Sequence, residues 1–394
     1  MKNIILHIDV NNAFLSWTAV SLLENGSKYD IRNSYAVIGG DETKRRGVVL
    51  AKSMAAKQSG IVTGETLYSA RKKCKVLKVY PPDYKVYQKL SNKLFELLYK
   101  YTDEIEIFSI DECFLNYTSI KHLYGDEIEF AKTLKDKIKK ELGFTVNIGI
   151  GNNKLCAKMA SDFEKPDKVH TLYETEIKEK MFPLPIDDLF GIGKKTAPKL
   201  KKLGIYTISD LAHYPKEKLY QYFKNQAIKM IDLANGIDDN FIKKEPDKIS
   251  SISRSITIDH DVDNKIEIYQ ILEQLTEAVS TTLRKQKKYA YVIAVQLRDC
   301  YFNNVIHQRK IPTATNITEE ILKIAKELVD EMWEEKKIRL VGIRLDHLVD
   351  EIVEQINLFE PPKDKTKTSE LQTTLDDLKE KYGSKIIGTA TLKK

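Results

Sequence analysis

Cysteine is scarce in this sequence and shows no paired spacing. The chain of 394 residues contains only Cys74, Cys113, Cys156 and Cys300. Zinc sites and disulfide frameworks need cysteines that recur at short, regular intervals. The sequence therefore argues against a zinc module or a disulfide-stapled domain, and its cysteine usage is typical of a reducing cytoplasm.

Long hydrophobic runs are also missing. The opening Met1-Lys2-Asn3 leads into a short apolar stretch that ends at Asp9, which is too short and too polar for a secretory signal. No apolar stretch approaches the roughly 20 residues that span a bilayer. We therefore expect a cytoplasmic protein that has no membrane partner.

The composition that remains is ordinary for a soluble globular protein. Hydrophobic residues make up 42% and charged residues 31% of the chain, and the length allows two to four domains. The formal charge of +7 is compatible with a polyanionic partner but does not identify one, because modest basicity is common.

Two adjacent carboxylates, Asp111 and Glu112, lie between segments 104–107 and 115–117, which both have the pattern of short strands. Neighbouring side chains on a strand point to opposite faces, so both acids can serve one site only if a tight turn brings them together. A third acid, Asp9, ends the apolar run at residues 4–8. Three acids from two strands could hold two magnesium ions. The alternative is that Asp111 and Glu112 form only a solvated hairpin turn.

The hydrophobic periodicity predicts two modules with the same order of elements. Apolar residues recur at three- and four-residue intervals over 84–101 and 126–142, which predicts two helices among the strands already described. With a further strand at 145–150, the order is strand, helix, strand, strand, helix, strand, which is ferredoxin-like. Residues 249–345 repeat that order after a polar linker at 238–248.

Several short motifs follow one another along the chain. They are Asp9-Val10-Asn11-Asn12-Ala13-Phe14, Ser109-Ile110-Asp111-Glu112, the segment 152–162, Lys165-Pro166 and Leu189-Phe190-Gly191-Ile192-Gly193. Their types and order resemble the Y-family, or translesion, DNA polymerases of the bacterial DinB and UmuC type, over most of the chain. The resemblance implies an α+β, right-hand polymerase fold with a ferredoxin-like palm, small fingers, a helical helix-hairpin-helix thumb and a βαββαβ little-finger domain.

The resemblance also implies a division into domains. We expect the palm at residues 1–10 and 78–166, the fingers at 11–77, the thumb at 167–240, the little finger at 241–350 and a C-terminal tail at 351–394. Residues 371–383 of this tail have the pattern of a short amphipathic helix that ends at a glycine, to which we assign no role.

By resemblance, Asp9, Asp111 and Glu112 are the catalytic, metal-binding acids, and the carbonyl of Val10 ligates the ion on the nucleotide side. The same resemblance places Phe14 as a steric gate that blocks the 2′-hydroxyl of a ribonucleotide; a buried core Phe is the alternative. The predicted nucleotide-binding residues are Asn11, Asn12, Ala13, Phe14, Lys57 and Lys165.

The fingers depart from the family pattern. Met54 and Lys57 occupy positions where the family usually has a Tyr and an Arg, and Ala51 replaces a common Thr or Ser. Lysine keeps the positive charge but loses the two-pronged hydrogen bonding of arginine. Either Lys57 reaches a phosphate as a point charge, or the neighbouring Lys52 and Ser53 substitute for it. A solvated lysine on a helix is the remaining interpretation of Lys57.

The predicted DNA contacts lie outside the palm. Gly191, Gly193 and Lys194 have the pattern of a helix-hairpin-helix, in which backbone N–H groups at a helix start face a phosphate. A simple turn between helices is the alternative. Ser253 and Arg254 are expected to contact template phosphates.

Five residues of the tail, Gln355-Ile356-Asn357-Leu358-Phe359, resemble the peptide that binds the bacterial sliding clamp. The predicted clamp contacts are Gln355, Leu358 and Phe359. The alternative is that Leu358 and Phe359 fold back onto the little finger.

These features together predict a DNA-directed DNA polymerase that extends a primer with deoxynucleoside triphosphates, uses two Mg²⁺ ions, has low fidelity and lacks proofreading. The expected partners are primer-template DNA, deoxynucleotides and the sliding clamp, and we expect a monomer. A nucleotidyl cyclase shares such a palm but has no use for two DNA-binding modules. A non-catalytic, clamp-recruited scaffold would be expected to have lost one of the acids.

Overall fold

A computed structural model of the chain describes residues 3–42, 45, 47–239, 241–243, 248–351 and 366–383. The chain divides into two compact units. The first comprises Met1–Gly40 and Gly47–Pro246, and the second comprises Asp41–Arg46 and Asp247–Lys394. Over the ranges given above, no helix is both long and apolar enough to cross a membrane.

Within the residues that the structure describes, the first unit contains eight strands and eleven α-helices. The strands are β1 (Ile5–Val10), β2 (Ala36–Gly39), β3 (Val49–Lys52), β4 (Lys78–Tyr80), β5 (Ile105–Ile107), β6 (Glu112–Asn116), β7 (Val146–Gly151) and β8 (Val169–Leu172). The helices are α1 (Ala13–Glu24), α2 (Met54–Gln58), α3 (Leu67–Lys73), α4 (Tyr84–Leu98), α5 (Lys121–Tyr124), α6 (Glu127–Leu142), α7 (Lys154–Asp162), α8 (Ala197–Lys202), α9 (Ile208–Ala212), α10 (Lys216–Phe223) and α11 (Gln226–Ala234).

A five-stranded sheet forms the centre of the predicted palm, in the order β5-β6-β1-β7-β8. The four strands β5, β6, β1 and β7 pair antiparallel, which is the ferredoxin-like arrangement that the periodicity predicted. Strands β1 and β7 are buried along their whole length, because helices such as α4 and α6 pack their apolar faces on this sheet. The predicted fold class is therefore confirmed.

Two strands shift the boundaries that we expected for the palm. Strand β4 lies within the segment predicted as palm, but it pairs in parallel with β2 in a separate three-stranded sheet, in the order β3-β2-β4. Strand β8 lies within the predicted thumb, but it pairs in parallel with β7 in the palm sheet. Strands of three and four residues show no periodicity of their own, so their partners could not be assigned from the sequence.

The predicted thumb is helical, and its core is formed by α8 to α11 together with apolar residues of α7. The segment before Gly191, where a helix-hairpin-helix would have its first helix, contains only a single 3-10 turn at Ile186–Asp188. Pro185 precedes this turn, and the chain leaves it in an extended conformation at Leu189. Thr207 caps α9 by accepting a hydrogen bond from the backbone N–H of Asp210.

The second unit contains β9 (Ser251–Val262), α12 (Lys265–Lys285), β10 (Tyr289–Asp299), β11 (Asn304–Thr315), α13 (Thr318–Met332), β12 (Ile338–Val349) and α14 (Thr366–Tyr382). Its sheet has the order β11-β10-β12-β9 and is antiparallel throughout. Helices α12 and α13 contribute their apolar faces to its core. The predicted strand, helix, strand, strand, helix, strand order is confirmed.

Helix α14 packs against α12 through a buried ion pair. The guanidinium of Arg284 lies 2.6 Å from the carboxylate of Asp376, and both side chains are less than 10% exposed. Arg284 also donates to Gln372 Oε1 at 2.8 Å and to the carbonyl of Asn316 at 2.8 Å. The helix that the sequence predicted at 371–383 is therefore an attached part of the second unit, and it begins earlier, at Thr366.

We predict that Asp376→Ala destabilises the second unit by about 3–5 kcal/mol, because the substitution leaves the Arg284 charge buried without its partner. Thermal unfolding followed by calorimetry would measure the loss. Asp377→Ala is the matched control, since Asp377 is the next residue on the same helix and is exposed. Equal melting temperatures for the two variants would show that the ion pair does not fix α14.

Candidate active site

The three predicted acids meet at one end of the palm sheet. Asp9 on β1 is the direct cross-strand neighbour of Glu112 on β6. Asp111 precedes β6, and its carbonyl accepts a hydrogen bond from the backbone N–H of Val10 at 3.0 Å. The pairing of β1 with β6 therefore brings together acids that lie about a hundred residues apart in the sequence.

A tight turn between β5 and β6 holds Asp111. The hydroxyl of Ser109 donates to Asp111 Oδ1 at 2.6 Å, and the backbone N–H of Phe108 donates to the carbonyl of Glu112 at 3.0 Å. Ser91 of α4, which is almost fully buried, donates from its hydroxyl to the carbonyl of Ile110 at 2.5 Å. The turn that the two acids need in order to share one site is therefore present, and a hydrogen bond from α4 holds it in place.

Helix α7 lies unusually close to β7. A Cβ atom on Gly149 would lie 2.0 Å from the carbonyl oxygen of Ala157, and one on Gly151 would lie 2.6 Å from the backbone nitrogen of the same residue. Backbone atoms cannot move aside as the end of a flexible side chain can. Glycine is therefore required at both positions. Because α7 lies so close to the sheet, its side chains can contact the carboxylates.

Two lysines face the acids. Lys158 of α7 places Nζ 2.7 Å from Glu112 Oε2 and 4.0 Å from Asp9 Oδ2. Lys165 pairs with Asp9 and also lies 2.8 Å from Asp162 Oδ1. The negative charge at this end of the sheet is thus balanced by ammonium groups.

The neighbouring carboxylates respond to this environment in opposite directions. Burial raises the pKa of Asp111, and the charges of Asp9 and Glu112 raise it further. Burial would also raise the pKa of Glu112, but His7 and the ammonium of Lys158 outweigh that effect and lower it to about 2. Glu112 is therefore a firmly ionised acid, whereas no cationic side chain among the described residues forms an ion pair with Asp111.

The donor chemistry of this cluster fits magnesium, which prefers carboxylate and carbonyl oxygens. Across the described part of the chain, however, no group of three or more Asp, Glu, His or Cys side chains converges closely enough to hold a metal ion. Lysine ammonium groups contact oxygens of Asp9 and Glu112 instead. A metal ion bound to the Asp9 oxygen that Lys165 contacts would therefore take the place of that ammonium group.

The loop after β1 places the predicted nucleotide-binding residues beside the acids. The side chain of Asn11 is buried and bonded to Asn147 and to the backbone N–H of Asp167, so its role in this structure is to join β1 to β7 and the following loop. Asn12 adopts a left-handed conformation, with φ of 51°, and donates to the carbonyl of Lys52 at 2.5 Å. Ala13 is buried at the start of α1.

Phe14 is half-buried and held by other aromatic rings. Its ring stacks on Tyr87 with centroids 4.6 Å apart and an interplanar angle of 8°, and Tyr84 contacts it edge-on at 6.0 Å. Tyr87 is itself fixed by a hydrogen bond to Thr18 at 3.0 Å. The ring of Phe14 is therefore held in place by its aromatic neighbours and is only partly exposed.

The two candidate lysines of the fingers differ in their surroundings. Lys57 on α2 is exposed. Lys52 Nζ lies 3.0 Å from the hydroxyl of Thr63, and burial together with the charge of Lys57 lowers its pKa. Ser53 is buried and its hydroxyl caps α2 by accepting from Ala56. The capping role of Ser53 weighs against its use as a phosphate ligand.

Comparison with known families covers most of the chain. Family models described as the impB/mucB/samB family, its C-terminal domain and the IMS family HHH motif match residues 8–162, 249–358 and 174–205, respectively. DNA polymerase IV of Clostridium acetobutylicum is 46% identical over 393 residues, which cover 100% of this chain and 98% of that protein. DNA polymerase IV of Acetivibrio thermocellus is 32% identical, with coverage of 97% and 96%.

The chain belongs to the Y family of DNA polymerases, in its bacterial DinB-type branch. A solved structure described as a Y-family DNA polymerase chimera has a TM-score of 0.77 to this polymerase and covers 88% of the chain and 100% of the chimera. Because the two sequences are only 22% identical, this likeness concerns the fold. The recognition made from the motifs is confirmed.

The remaining predicted contacts of the polymerase lie in exposed places. Gly191, with φ of +93°, and Gly193 flank a buried Ile192 before α8, and Lys194 is exposed. Ser253 and Arg254 are exposed on β9 of the second unit. The predicted clamp contacts Gln355, Leu358 and Phe359 lie outside the described residues.

The sequence argument did not assign roles to Lys158 or to the two glycines that seat α7. A signal was present, since Lys154, Lys158 and Asp162 recur at four-residue intervals on one face of a helix that follows a strand. Lys154 contacts Glu106 at 2.7 Å, so this helix face contacts the acids of both β5 and β6. The role of this helix face could have been recognised only if the pairing of β6, β1 and β7 had been known.

Proposed function

We propose that the palm site of this Y-family DNA polymerase adds deoxynucleotides to the 3′-hydroxyl of a primer by phosphoryl transfer, assisted by two Mg²⁺ ions. The observation that supports this is the meeting of Asp9, Asp111 and Glu112 at one end of the palm sheet, beside Lys158 and Lys165. Phosphoryl transfer needs charge neutralisation and in-line positioning more than covalent chemistry.

Each residue of the palm site has a separate role in this proposal. Asp9 and Asp111 would hold the ions, Glu112 would complete the site on the primer side, and the carbonyl of Val10 would contribute on the nucleotide side. When bound, the ions would neutralise the triphosphate and lower the pKa of the attacking hydroxyl. Lys165, which is partly exposed, supplies further positive charge to the triphosphate.

Lys57 is the proposed phosphate contact from the fingers. It is exposed on α2, whereas the alternative Ser53 is committed to the helix cap and Lys52 is engaged with Thr63. A lysine reaches a phosphate as a point charge, so we expect a weaker and less directional contact than an arginine would provide.

The wider functional context follows from the family. We propose a polymerase that copies damaged template bases with low fidelity and without proofreading, and that acts as a monomer in the cytoplasm. Primer-template DNA would be held by the loop at Gly191, Gly193 and Lys194 and by Ser253 and Arg254. A nucleotidyl cyclase is disfavoured, because the helix-hairpin-helix match and the second module have no use in a cyclase.

We predict that Asp9→Ala, Asp111→Ala and Glu112→Ala each reduce nucleotide addition by at least about 10³-fold, while binding of primer-template DNA persists. The reason is that the site loses metal ligands although the DNA contacts lie elsewhere. Single-nucleotide extension and fluorescence anisotropy would measure the two properties, with the exposed Glu141→Ala as the control. Wild-type extension by any folded acid variant would refute the assignment of that acid.

For Phe14→Ala we predict a large rise in ribonucleotide use, because the stacked ring can no longer clash with a 2′-hydroxyl. The measurement is the ratio of ribonucleotide to deoxynucleotide incorporation opposite the same template base. Tyr84→Ala is the matched control, since it removes a neighbouring ring and leaves Phe14 in place. An unchanged ratio for Phe14→Ala would make the ring a packing residue only.

We further propose that Gln355, Leu358 and Phe359 bind the sliding clamp. Two buried apolar anchors would contribute about 1.5–3 kcal/mol each, enough for a weak tether that raises the local concentration of polymerase at the primer end. Replacing all three with Ala should leave clamp-free extension and melting temperature unchanged and remove stimulation by the loaded clamp. Equal stimulation of mutant and wild type would end this proposal, and a lowered melting temperature would instead indicate packing on the little finger.

A further inference from the structure

A histidine lies buried beneath the acids and has no part in the chemistry proposed above. His7 is 0% exposed on β1, two residues before Asp9, and its cross-strand neighbours are Phe114 on β6 and Gly149 on β7. The ring packs against Phe114 with centroids 4.7 Å apart. Burying an imidazole in such a core is costly unless its two nitrogens have polar partners. The partners of these nitrogens therefore indicate the role of the residue.

Both ring nitrogens face specific partners. Nδ1 lies 2.8 Å from the hydroxyl of Ser161 on α7, which is also 0% exposed. Nε2 lies 3.2 Å from Oε2 of Glu112, but makes no well-directed hydrogen bond. The imidazole thus forms a bridge between the helix that is seated on Gly149 and one of the proposed metal-binding acids.

The chemistry of the partners fixes where the hydrogens lie. A carboxylate can only accept, so the nitrogen that faces Glu112 must carry a hydrogen. When the ring is neutral, Nδ1 is then an acceptor, and the hydroxyl of Ser161 donates to it. That hydroxyl has a second available acceptor, the carbonyl of Lys158 at 2.8 Å, so either charge state of the ring can be accommodated with a hydrogen on Nε2.

Ser161, His7 and Glu112 have the composition of a nucleophilic triad, but they cannot act as one. In such a triad the serine faces the substrate and the carboxylate orients the histidine. Here the serine is fully buried, and the carboxylate is the member that lies at the site. Ser161 therefore orients His7, and His7 in turn orients Glu112.

The contacts of Glu112 show which oxygen is held. Lys158 and His7 both address Oε2, and in the part of the chain that the structure describes no partner contacts Oε1. Oε2 is thus held by two protein side chains, while Oε1 is left available for another ligand.

We propose that His7, oriented by Ser161, is a positioning residue that holds the Glu112 carboxylate with one oxygen presented to a metal ion. This inference rests on the proposed role of Glu112 as a metal ligand. Groups that orient a metal ligand are typically worth about 10–100-fold in metal affinity, so the effect should appear in the metal requirement rather than in DNA binding.

The test compares His7→Leu, His7→Gln and Ser161→Ala with wild type, and the exposed His122→Leu serves as the matched control. In single-turnover extension, His7→Leu should raise the Mg²⁺ concentration for half-maximal rate by about 10-fold or more, with an unchanged Kd for primer-template DNA. His7→Gln should recover most of the loss, because its amide can donate to Glu112. Ser161→Ala should give an intermediate effect.

Two readouts do not depend on activity. Titration of Mn²⁺ into the polymerase–DNA complex, followed by electron paramagnetic resonance, should show weaker binding for His7→Leu and normal binding for His122→Leu. In ¹⁵N-histidine-labelled protein, the His7 ring should carry its hydrogen on Nε2, and Ser161→Ala should mix the two tautomers. A bare Nε2 in the wild type would overturn the inference.

The outcomes separate this inference from the proposed function. If Glu112→Ala retains nucleotide addition, the assignment of Glu112 fails and the inference fails with it. If Glu112→Ala is inactive but the His7→Leu and Ser161→Ala variants keep the wild-type metal requirement, only the inference fails. Should His7→Leu not fold, a wild-type Mn²⁺ titration for both His7→Gln and Ser161→Ala, together with a wild-type tautomer for Ser161→Ala, would likewise overturn it.

Discussion

The close approach of α7 to β7 is the constraint on which the palm site depends. Gly149 and Gly151 allow helix backbone to lie where any Cβ would collide with it. Only at that distance can Lys158 reach Glu112 and Ser161 reach His7. The electrostatic environment of Glu112 therefore depends on how closely α7 packs on the neighbouring strand.

The sequence predicted those parts of this polymerase that depend on local patterns of apolar and polar residues. The alternation and periodicity around Asp9, Asp111 and Glu112 were enough to place three acids on two strands, and the turn at Ser109 appeared where side-chain geometry required it. The pairing of β4 with β2 and of β8 with β7 was not foreseeable, because such short strands are specified by the partner that they meet. The role of Lys158 was missed for a related reason, since its target lies on a strand more than forty residues earlier.

Identical element order did not produce identical sheets in the two modules. The palm places its first and third strands at the centre, with β1 between β6 and β7, whereas the second unit places its second and fourth strands there, with β12 between β10 and β9. Consequently the first strand is buried in the palm and lies at an edge in the second unit. An acid at the end of β1 is enclosed by neighbours on both sides, while Ser253 and Arg254 on β9 remain on an exposed edge strand, as suits side chains that would meet a long polyanion.

The pairing of Lys165 with Asp9 has a consequence for the order in which charges can be bound. One carboxylate oxygen cannot serve an ammonium group and a divalent cation at the same distance, so a metal ion bound at the Asp9 oxygen that Lys165 contacts would release the lysine. The lysine released in this way is the one proposed to contact the triphosphate. In the proposed mechanism the site would therefore exchange one cation for another: a metal ion would replace the ammonium group at Asp9, and the freed lysine would offer its positive charge to the anion that accompanies the metal.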